Sequence, residues 1–444
     1  MVEVYELYGR RCDMIEQIPS RTDFTGTYRR RVVDDELDLL LPALPALLLD
    51  GPKGVGKTAT AIQRCVTVRR LDEPAQRAII EADPRIIAED EEPILLDEWQ
   101  RVPAVFDATR RLVDQDPRPH RFLLTGSAPT KATHSGAGRI ISLRMRPLSL
   151  FERYETQHYV STQGLLDGTA TIKGHCSLQL KDYVEEMVSG GFPGLRHLSG
   201  VPLRRQLDGY LERIVDHDIP EAGYAVRRPQ MVRALLLAYA AAIATTASWE
   251  KIREAATGGS GANASRSAIH SHVELLTYLR ILDPLEAWSP SNNHLGRLMT
   301  SPKHYLADPA LAARLVKKSA AQLLQGEESK ITMPRDGTYL GALFESLVAL
   351  SIRTYAQRCE ARVFYLRSAG GRHEIDFIVE ADNGILAIEA KLSASVSDDD
   401  VRHLLWLRQE LGEQCLGLAV VGTGPEAYTR ADGVAVIPLG LLGP

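Results

Sequence analysis

The stretch Ala46-Leu-Leu-Leu-Asp50, running directly into Gly51-Pro-Lys-Gly-Val-Gly-Lys-Thr58, decides the architecture of the amino-terminal half. An apolar run with an acidic end reads as a buried strand, and the residues after it fit the spacing GxxxxGK[ST] of a phosphate-binding loop. Gly51, Gly54 and Gly56 let backbone N–H groups turn inward around a polyphosphate, where a β-carbon would obstruct the approach. Lys57 would set an ammonium on the β and γ oxygens of ATP, and Thr58 would offer its hydroxyl to Mg2+. Residues 59–64 read as a helix, whose amino-terminal dipole favours the same anion.

Working outward, Ile94-Leu-Leu-Asp97-Glu98 is a second apolar strand with an acidic end. Asp97 there can hold magnesium through water, and Glu98 is the candidate base that orients an attacking water. Phe122-Leu-Leu-Thr125-Gly-Ser127 supplies a polar strand end, from which Thr125 would sense the γ-phosphate. Strands are expected near 46–50, 66–71, 93–97, 121–125 and 139–143 with helices between them, the alternation of an α/β domain with a mostly parallel sheet.

The chain has 444 residues, too many for one hydrophobic core, so two to four domains are expected. A net charge of −5 argues against a uniformly basic coat for nucleic acid and leaves room for a local basic face. Cys12, Cys65, Cys176, Cys359 and Cys415 lack CxxC spacing and read as reduced thiols. No secretory pattern opens the sequence, and the longest apolar run, 234–244, is shorter than the roughly 20 residues of a membrane span. A cytoplasmic protein with no membrane partner is expected. The basic cluster at Arg29–Arg31, followed by Asp34, Asp35 and Glu36, reads as a solvated helix face.

The set GPKGVGKT, LLDEWQRVP, LLTGS and GRIISLRMRPLSLFE resembles a group of bacterial and archaeal AAA-type P-loop ATPases with a carboxy-terminal domain of uncharacterised function. The likeness continues through Gly190-Gly-Phe-Pro193, 210–218 and 339–393, and is thinnest over 1–40. It implies an ATP site of Lys57, Thr58, Asp97, Glu98 and Thr125 and a homo-oligomer, with Arg139 either an arginine contact to nucleotide or a surface arginine at a strand start. The domains expected are a helical lead-in at 1–45, a P-loop core at 46–160, a helical region at 175–300 and a carboxy-terminal α/β domain at 330–444.

Within the helical region, two short helices followed by a strand pair over 245–288 have the layout of a winged helix-turn-helix. The second helix would be capped by Ser265 and present Arg266, Ser267, His270, Ser271 and His272. That face suits either contact with DNA or structural packing, and one arginine with histidines neutralises phosphates poorly.

Past residue 337 the expected order is a helix, three strands, a helix and a strand. Asp376 and Glu389, 13 residues apart, would face one another on antiparallel strands joined by the Asp382-Asn-Gly384 turn. Lys391 would share a face with Glu389, and Glu345 would reach it from the covering helix. Carboxylates with one lysine are what magnesium-dependent phosphodiester cleavage requires. Here the sequence resembles the PD-(D/E)XK nuclease superfamily, with Asp376, Glu389 and Lys391 on its motif and Glu345 as its helix acid. Arg353, Arg358, Arg362, Arg367 and Arg372 lie nearby, either as a basic channel or as ordinary surface charges. The function expected is ATP hydrolysis coupled to a nucleic-acid-directed carboxy-terminal domain. The alternative is a nucleotide-dependent switch without nuclease activity.

Overall fold

The structure is a computed structural model that describes residues 28–127, 137–154, 159–221, 224, 228–258, 266–289, 301–324 and 337–444. Cys12, Ser265, most of the expected lead-in and the greater part of the 289–293 loop lie outside the described residues, as do the side chains of Arg266 and Ser267.

Helix α1 (Val32–Leu40) leads into β1 (Ala46–Asp50), and α2 (Lys57–Ile62) follows the phosphate loop. Then come β2 (Thr67–Arg70), α3 (Pro74–Ala82), β3 (Ile94–Asp97), α4 (Ala104–Gln115), β4 (Phe122–Gly126) and β5 (Ile141–Arg144). The five strands form one sheet in the order β2-β3-β4-β1-β5, every pairing parallel. Strands β1, β3 and β4 are buried along their whole length, which is why they read as unbroken apolar runs. Their side chains alternate between two cores: Leu47, Leu49, Leu95 and Leu123 join one, and Ala46, Leu48, Leu96 and Leu124 the other. Each such leucine contributes about 1.5–3 kcal/mol by burial.

The middle of the chain is helical: α5 (Leu180–Ser189), α6 (Gly200–Arg213), α7 (Pro229–Ala241), α8 (Trp249–Thr257), α9 (Arg266–Tyr278) and α10 (Pro309–Leu315). Gly190-Gly191 breaks the first of these because there is no room for side chains. A β-carbon on Gly190 would lie 2.8 Å from Asp308 Oδ1, and one on Gly191 would lie 2.4 Å from the Leu148 carbonyl oxygen. The strand pair expected after α9 is reduced to two isolated antiparallel bridges, Leu282–Leu306 and Leu285–Lys303.

The carboxy-terminal part runs α11 (Gly337–Arg358), β8 (Arg362–Arg367), β9 (Glu374–Ala381), β10 (Gly384–Ala390), α12 (Asp398–Leu411), β11 (Cys415–Gly422), β12 (Glu426–Thr429) and β13 (Ala435–Pro438). Strands β9 and β10 are antiparallel, with Ala381 opposite Gly384 and Phe377 opposite Ile388. Strand β7 (Gly174–His175) sits at the far edge of this sheet, in the order β7-β12-β13-β11-β10-β9-β8. Likewise β6 (Val160–Ser161) pairs with β14 (Leu442–Gly443), so the segment after the first sheet crosses to the carboxy-terminal one.

The charged blocks around α1 are a solvated face only in part: Arg30 is exposed and pairs locally with Asp35 at 2.6 Å and Asp38 at 2.8 Å, but their inner members are buried. Arg31 is 6% exposed and Asp34 is fully buried. Arg31 donates to Glu152 at 2.8 Å, to the Val55 carbonyl at 2.8 Å and to the Arg146 carbonyl at 2.9 Å. A short run of alternating charge is legible as surface only when its partners are local; these partners lie 24 to 121 residues away. Among the described residues no helix is long and apolar enough to cross a membrane, and Cys65, Cys176, Cys359 and Cys415 are free thiols.

Candidate functional site

The carboxyl ends of β1, β3 and β4 converge on the phosphate loop. Gly54 and Gly56 have φ of 79° and 99°, the left-handed region open to glycine. Gly51 has a different constraint: a β-carbon there would lie 2.1 Å from the Met145 carbonyl oxygen, so the loop rests directly on the end of β5. Lys57 is buried inside the loop, donating to the carbonyls of Gly51 at 2.9 Å and Pro52 at 2.8 Å. Burial lowers its pKa to about 8 against the opposing pull of Glu98, Asp50 and Asp97.

Thr58 donates to Asp97 Oδ1 at 2.8 Å, and Thr125, on the strand between β1 and β3, donates to the same oxygen. Glu98 is turned into the left-handed region at φ 55°, an unusual conformation for a residue with a β-carbon, and its N–H donates to Thr125 Oγ1 at 3.3 Å. Burial raises the Glu98 carboxyl pKa, with Lys57 opposing, and Gln100 donates to its carboxylate. The hydroxyl of Thr58 and the carboxylate of Asp97 are hard oxygen donors side by side, a donor set that fits Mg2+ bridging to phosphate. Lys57, Thr58, Asp97, Glu98 and Thr125 are therefore brought together.

Arg139 is not with them. It precedes β5 and so lies at the amino ends of parallel strands, the side away from the loop, where it pairs with Asp114 at 2.7 Å. A contact from Arg139 to nucleotide in the same chain is ruled out by that topology.

Several residues around the loop were not legible in the sequence. Lys53 pairs with Asp218 at 2.6 Å and Glu221 at 2.8 Å, and Arg101 reaches Glu221 at 3.0 Å. Tyr210 donates to the Lys53 carbonyl at 3.1 Å, and Phe192 packs against Tyr210 with ring centroids 4.8 Å apart. Pro193 lies 3.7 Å from the β-carbon position of Gly56. The helical middle thus touches the loop from residue 53 to residue 56.

In the carboxy-terminal sheet Asp376 accepts from the Ala390 N–H at 3.0 Å, which sets it beside Glu389 on the neighbouring strand. Lys391 Nζ lies 3.8 Å from Glu389. Glu345 and Asp376 converge on a lysine that the sequence did not single out: Lys303 Nζ is 2.7 Å from Glu345 and 2.8 Å from Asp376, and the residue is 2% exposed. The only sequence signal was one lysine at the head of a largely apolar run, 303–316, which also holds His304, Asp308 and Arg314. Tyr305 also donates to Glu345. Burial and Asp376 together raise the Glu345 pKa to about 7, while Lys303 opposes the shift. Glu389 is likewise pushed up by burial and by Asp376, and Lys303 is raised by its carboxylate partners despite its burial. An ammonium thus sits where two of the three carboxylates meet, and as arranged these residues do not fit a divalent cation. Among the described residues no group of three or more His, Cys, Asp or Glu is disposed to hold a metal.

Of the two readings of the nearby arginines, the structure favours paired charges over a basic channel. Arg358 pairs with Asp35, Arg362 with Glu380 and Arg367 with Glu374, at 2.7, 2.9 and 3.8 Å, while Arg353 turns to Asp283 at 2.7 Å and Arg372 is exposed. On α9, His270 pairs with Glu274 at 3.2 Å, Ser271 is exposed, and burial lowers the pKa of the half-buried His272. That surface offers little positive charge.

Residues 44–154 match the family described as AAA domain, and residues 180–322 and 340–442 match two domains of unknown function, DUF8612 and DUF4143. The chain is 24% identical over 424 residues to an uncharacterized protein of Mycobacterium tuberculosis, covering 92% of this chain and 83% of the relative. An uncharacterized protein of Mycobacterium bovis matches with the same figures. Among solved structures it is similar to the Walker-type ATPase of Pyrococcus abyssi at 15% identity and a TM-score of 0.39, covering 67% of this chain and 99% of that one. The AAA match falls on the parallel sheet and phosphate loop described above, so this part has the P-loop fold of an AAA domain.

Proposed function

We propose that this chain hydrolyses ATP with magnesium and uses nucleotide state to move its helical middle against the carboxy-terminal sheet. The observation that carries this reading is the convergence of Lys57, Thr58, Asp97, Thr125 and Glu98 at the carboxyl ends of the central strands. Magnesium, when bound with ATP, would neutralise phosphate charge beside Thr58 and Asp97. Lys57 would hold the β and γ oxygens, and Glu98 would accept the proton of the attacking water. Colorimetric phosphate release tests it. Lys57→Ala should lose measurable turnover, and Glu98→Gln should bind ATP normally while losing about 100- to 10,000-fold in kcat. Wild-type turnover in either variant would remove that residue from the role.

For the carboxy-terminal part, the order helix, three strands, helix, strand and the neighbouring positions of Asp376, Glu389 and Lys391 support a PD-(D/E)XK-like fold. Lys303 favours the reading without nuclease activity, because its ammonium already compensates the carboxylates a metal would need. A cleavage assay on single-stranded and duplex DNA and on RNA, with magnesium or manganese and with or without ATP, separates the two. Cleavage lost in both Asp376→Ala and Lys391→Ala would restore the nuclease; no cleavage on any substrate supports the switch.

A further inference from the structure

A cavity of about 410 Å3 opens where the first sheet, the segment 283–286 and the carboxy-terminal part meet. Its polar lining includes Arg144, Arg146, Arg353 and Arg362, with Gln357 and Glu286. Arg362 is committed to Glu380 at 2.9 Å. The inner three guanidiniums share one carboxylate: Asp283 lies 3.2 Å from Arg144, 3.2 Å from Arg146 and 2.7 Å from Arg353. Asp283 is 6% exposed, and Arg144 Nε is buried with no hydrogen-bond partner.

Partly buried guanidiniums held this close repel one another, and the single carboxylate of Asp283 does not balance three of them, with Glu286 the one other acid on the lining. The strain registers on the groups themselves: burial, with neighbouring arginines adding to it, lowers the Arg146 pKa to about 9 and also lowers that of Arg144. Asp283 is held well below the usual carboxylate range by the same arginines, against its own burial. An open cavity lined by arginines in excess of acids suits an anion. Guanidinium forks match phosphate oxygens in geometry as well as charge, and the volume lies within the span of small-ligand sites.

We infer that this cavity is a second phosphate-binding site, distinct from the loop at 51–58, which takes the phosphate groups of a free polyphosphate or of a nucleic-acid backbone on Arg144, Arg146 and Arg353. The site lies close to the ATP loop in the covalent structure. Arg144 is the register partner of Asp50 at the end of β1, and the Met145 carbonyl is the floor under Gly51.

The test uses full-length protein carrying Lys57→Ala, so that the first loop contributes little. Pyrophosphate is titrated by thermal shift, and a labelled ten-nucleotide single strand by anisotropy. Saturable binding of at least one probe is expected. It should weaken at least about tenfold in Arg353→Gln, since one charge-assisted contact is worth about 1.5–3 kcal/mol. Arg362→Gln, at the exposed mouth and paired with Glu380, leaves the inner cluster intact and should change binding by less than about threefold, which marks the three inner arginines as the site. Asp283→Asn should strengthen it, because it removes the competing carboxylate; a merely structural role for Asp283 would not give tighter binding. Binding of pyrophosphate alone identifies a small phosphorylated ligand, and binding of the strand identifies a backbone. Absence of binding by both probes, or binding unchanged in both Arg353→Gln and Asp283→Asn, overturns the site.

Discussion

A lysine that must carry charge to hold phosphate is vulnerable when buried, and Lys57 shows the consequence. Its pKa near 8 means that the free protein sheds the proton within an accessible pH range. Bound phosphate favours the ammonium, so ATP binding above that pH must take up a proton. The dissociation constant for ATP is therefore expected to stay level from pH 6 to about 7.5 and to rise about tenfold per unit beyond about 8. Calorimetry in two buffers of different ionisation enthalpy would detect the proton uptake directly. A flat affinity to pH 9.5 would show that the lysine is not deprotonated in the free loop. Glu98 is shifted the other way, upward by burial, which suits a residue that must accept a proton from water near neutral pH.

Elements are tied here by charges that the sequence scatters. The break at Gly190-Gly191 exists so that Asp308 can reach the Gly191 N–H at 2.7 Å. Around it Arg153, Glu186, Arg196 and Asp308 form a network with almost no exposure, Arg196 donating to Glu186 at 2.8 Å and Arg153 at 3.2 Å. Glu186→Gln leaves two buried guanidiniums short of a carboxylate, and a loss of about 3–5 kcal/mol is expected in urea unfolding. Lys53 with Asp218 and Glu221 is a contrasting case, because those groups are partly exposed and contribute less than about 1 kcal/mol. Its value lies in position, since it joins the phosphate loop to the segment 214–221. ATP should alter amide exchange over that segment in the wild type and leave it unaltered in Lys53→Ala; a response that survives the substitution would place the coupling elsewhere. These contrasts also explain what was legible. All five strands of the first sheet fall within two residues of their expected bounds; β1, β3 and β4 are buried along their whole length and carry that signal locally as unbroken apolar runs. Thr58, Asp97 and Thr125 stand on local motifs, a phosphate loop and two strand ends, which is why the sequence alone could single them out as candidates. Arg31 was misread, and Lys53, Asp283 and Lys303 were passed over, because each is defined by a partner far along the chain.

At the scale of the whole molecule, Lys303 joins the helical middle to the carboxy-terminal sheet. It stands on the segment bridged to Leu285, while its ammonium reaches Glu345 on α11 and Asp376 on β9. The same region is fastened at the sheet edge, where the Trp288 N–H donates to the Tyr365 carbonyl at 2.6 Å and its indole to Glu380 at 2.9 Å. Removing the ammonium alone leaves two buried carboxylates facing each other, so Lys303→Met should cost about 3–5 kcal/mol. Neutralising the carboxylates as well, with Glu345→Gln and Asp376→Asn, should recover most of that loss, and additive costs would show that the ammonium is not their partner. Stability against pH gives an independent reading. Because Glu345 titrates near 7 in the folded chain rather than at 4.5, the folded state keeps a proton that the unfolded state releases between those values. Its contribution is fully present below about pH 4.5 and is lost as pH rises through 7. Glu345→Gln should therefore flatten the stability curve across that window, as followed by urea midpoints from pH 4.5 to 7.5. An unchanged slope would mean that the proton resides elsewhere in the cluster, with Glu389 the next group to substitute.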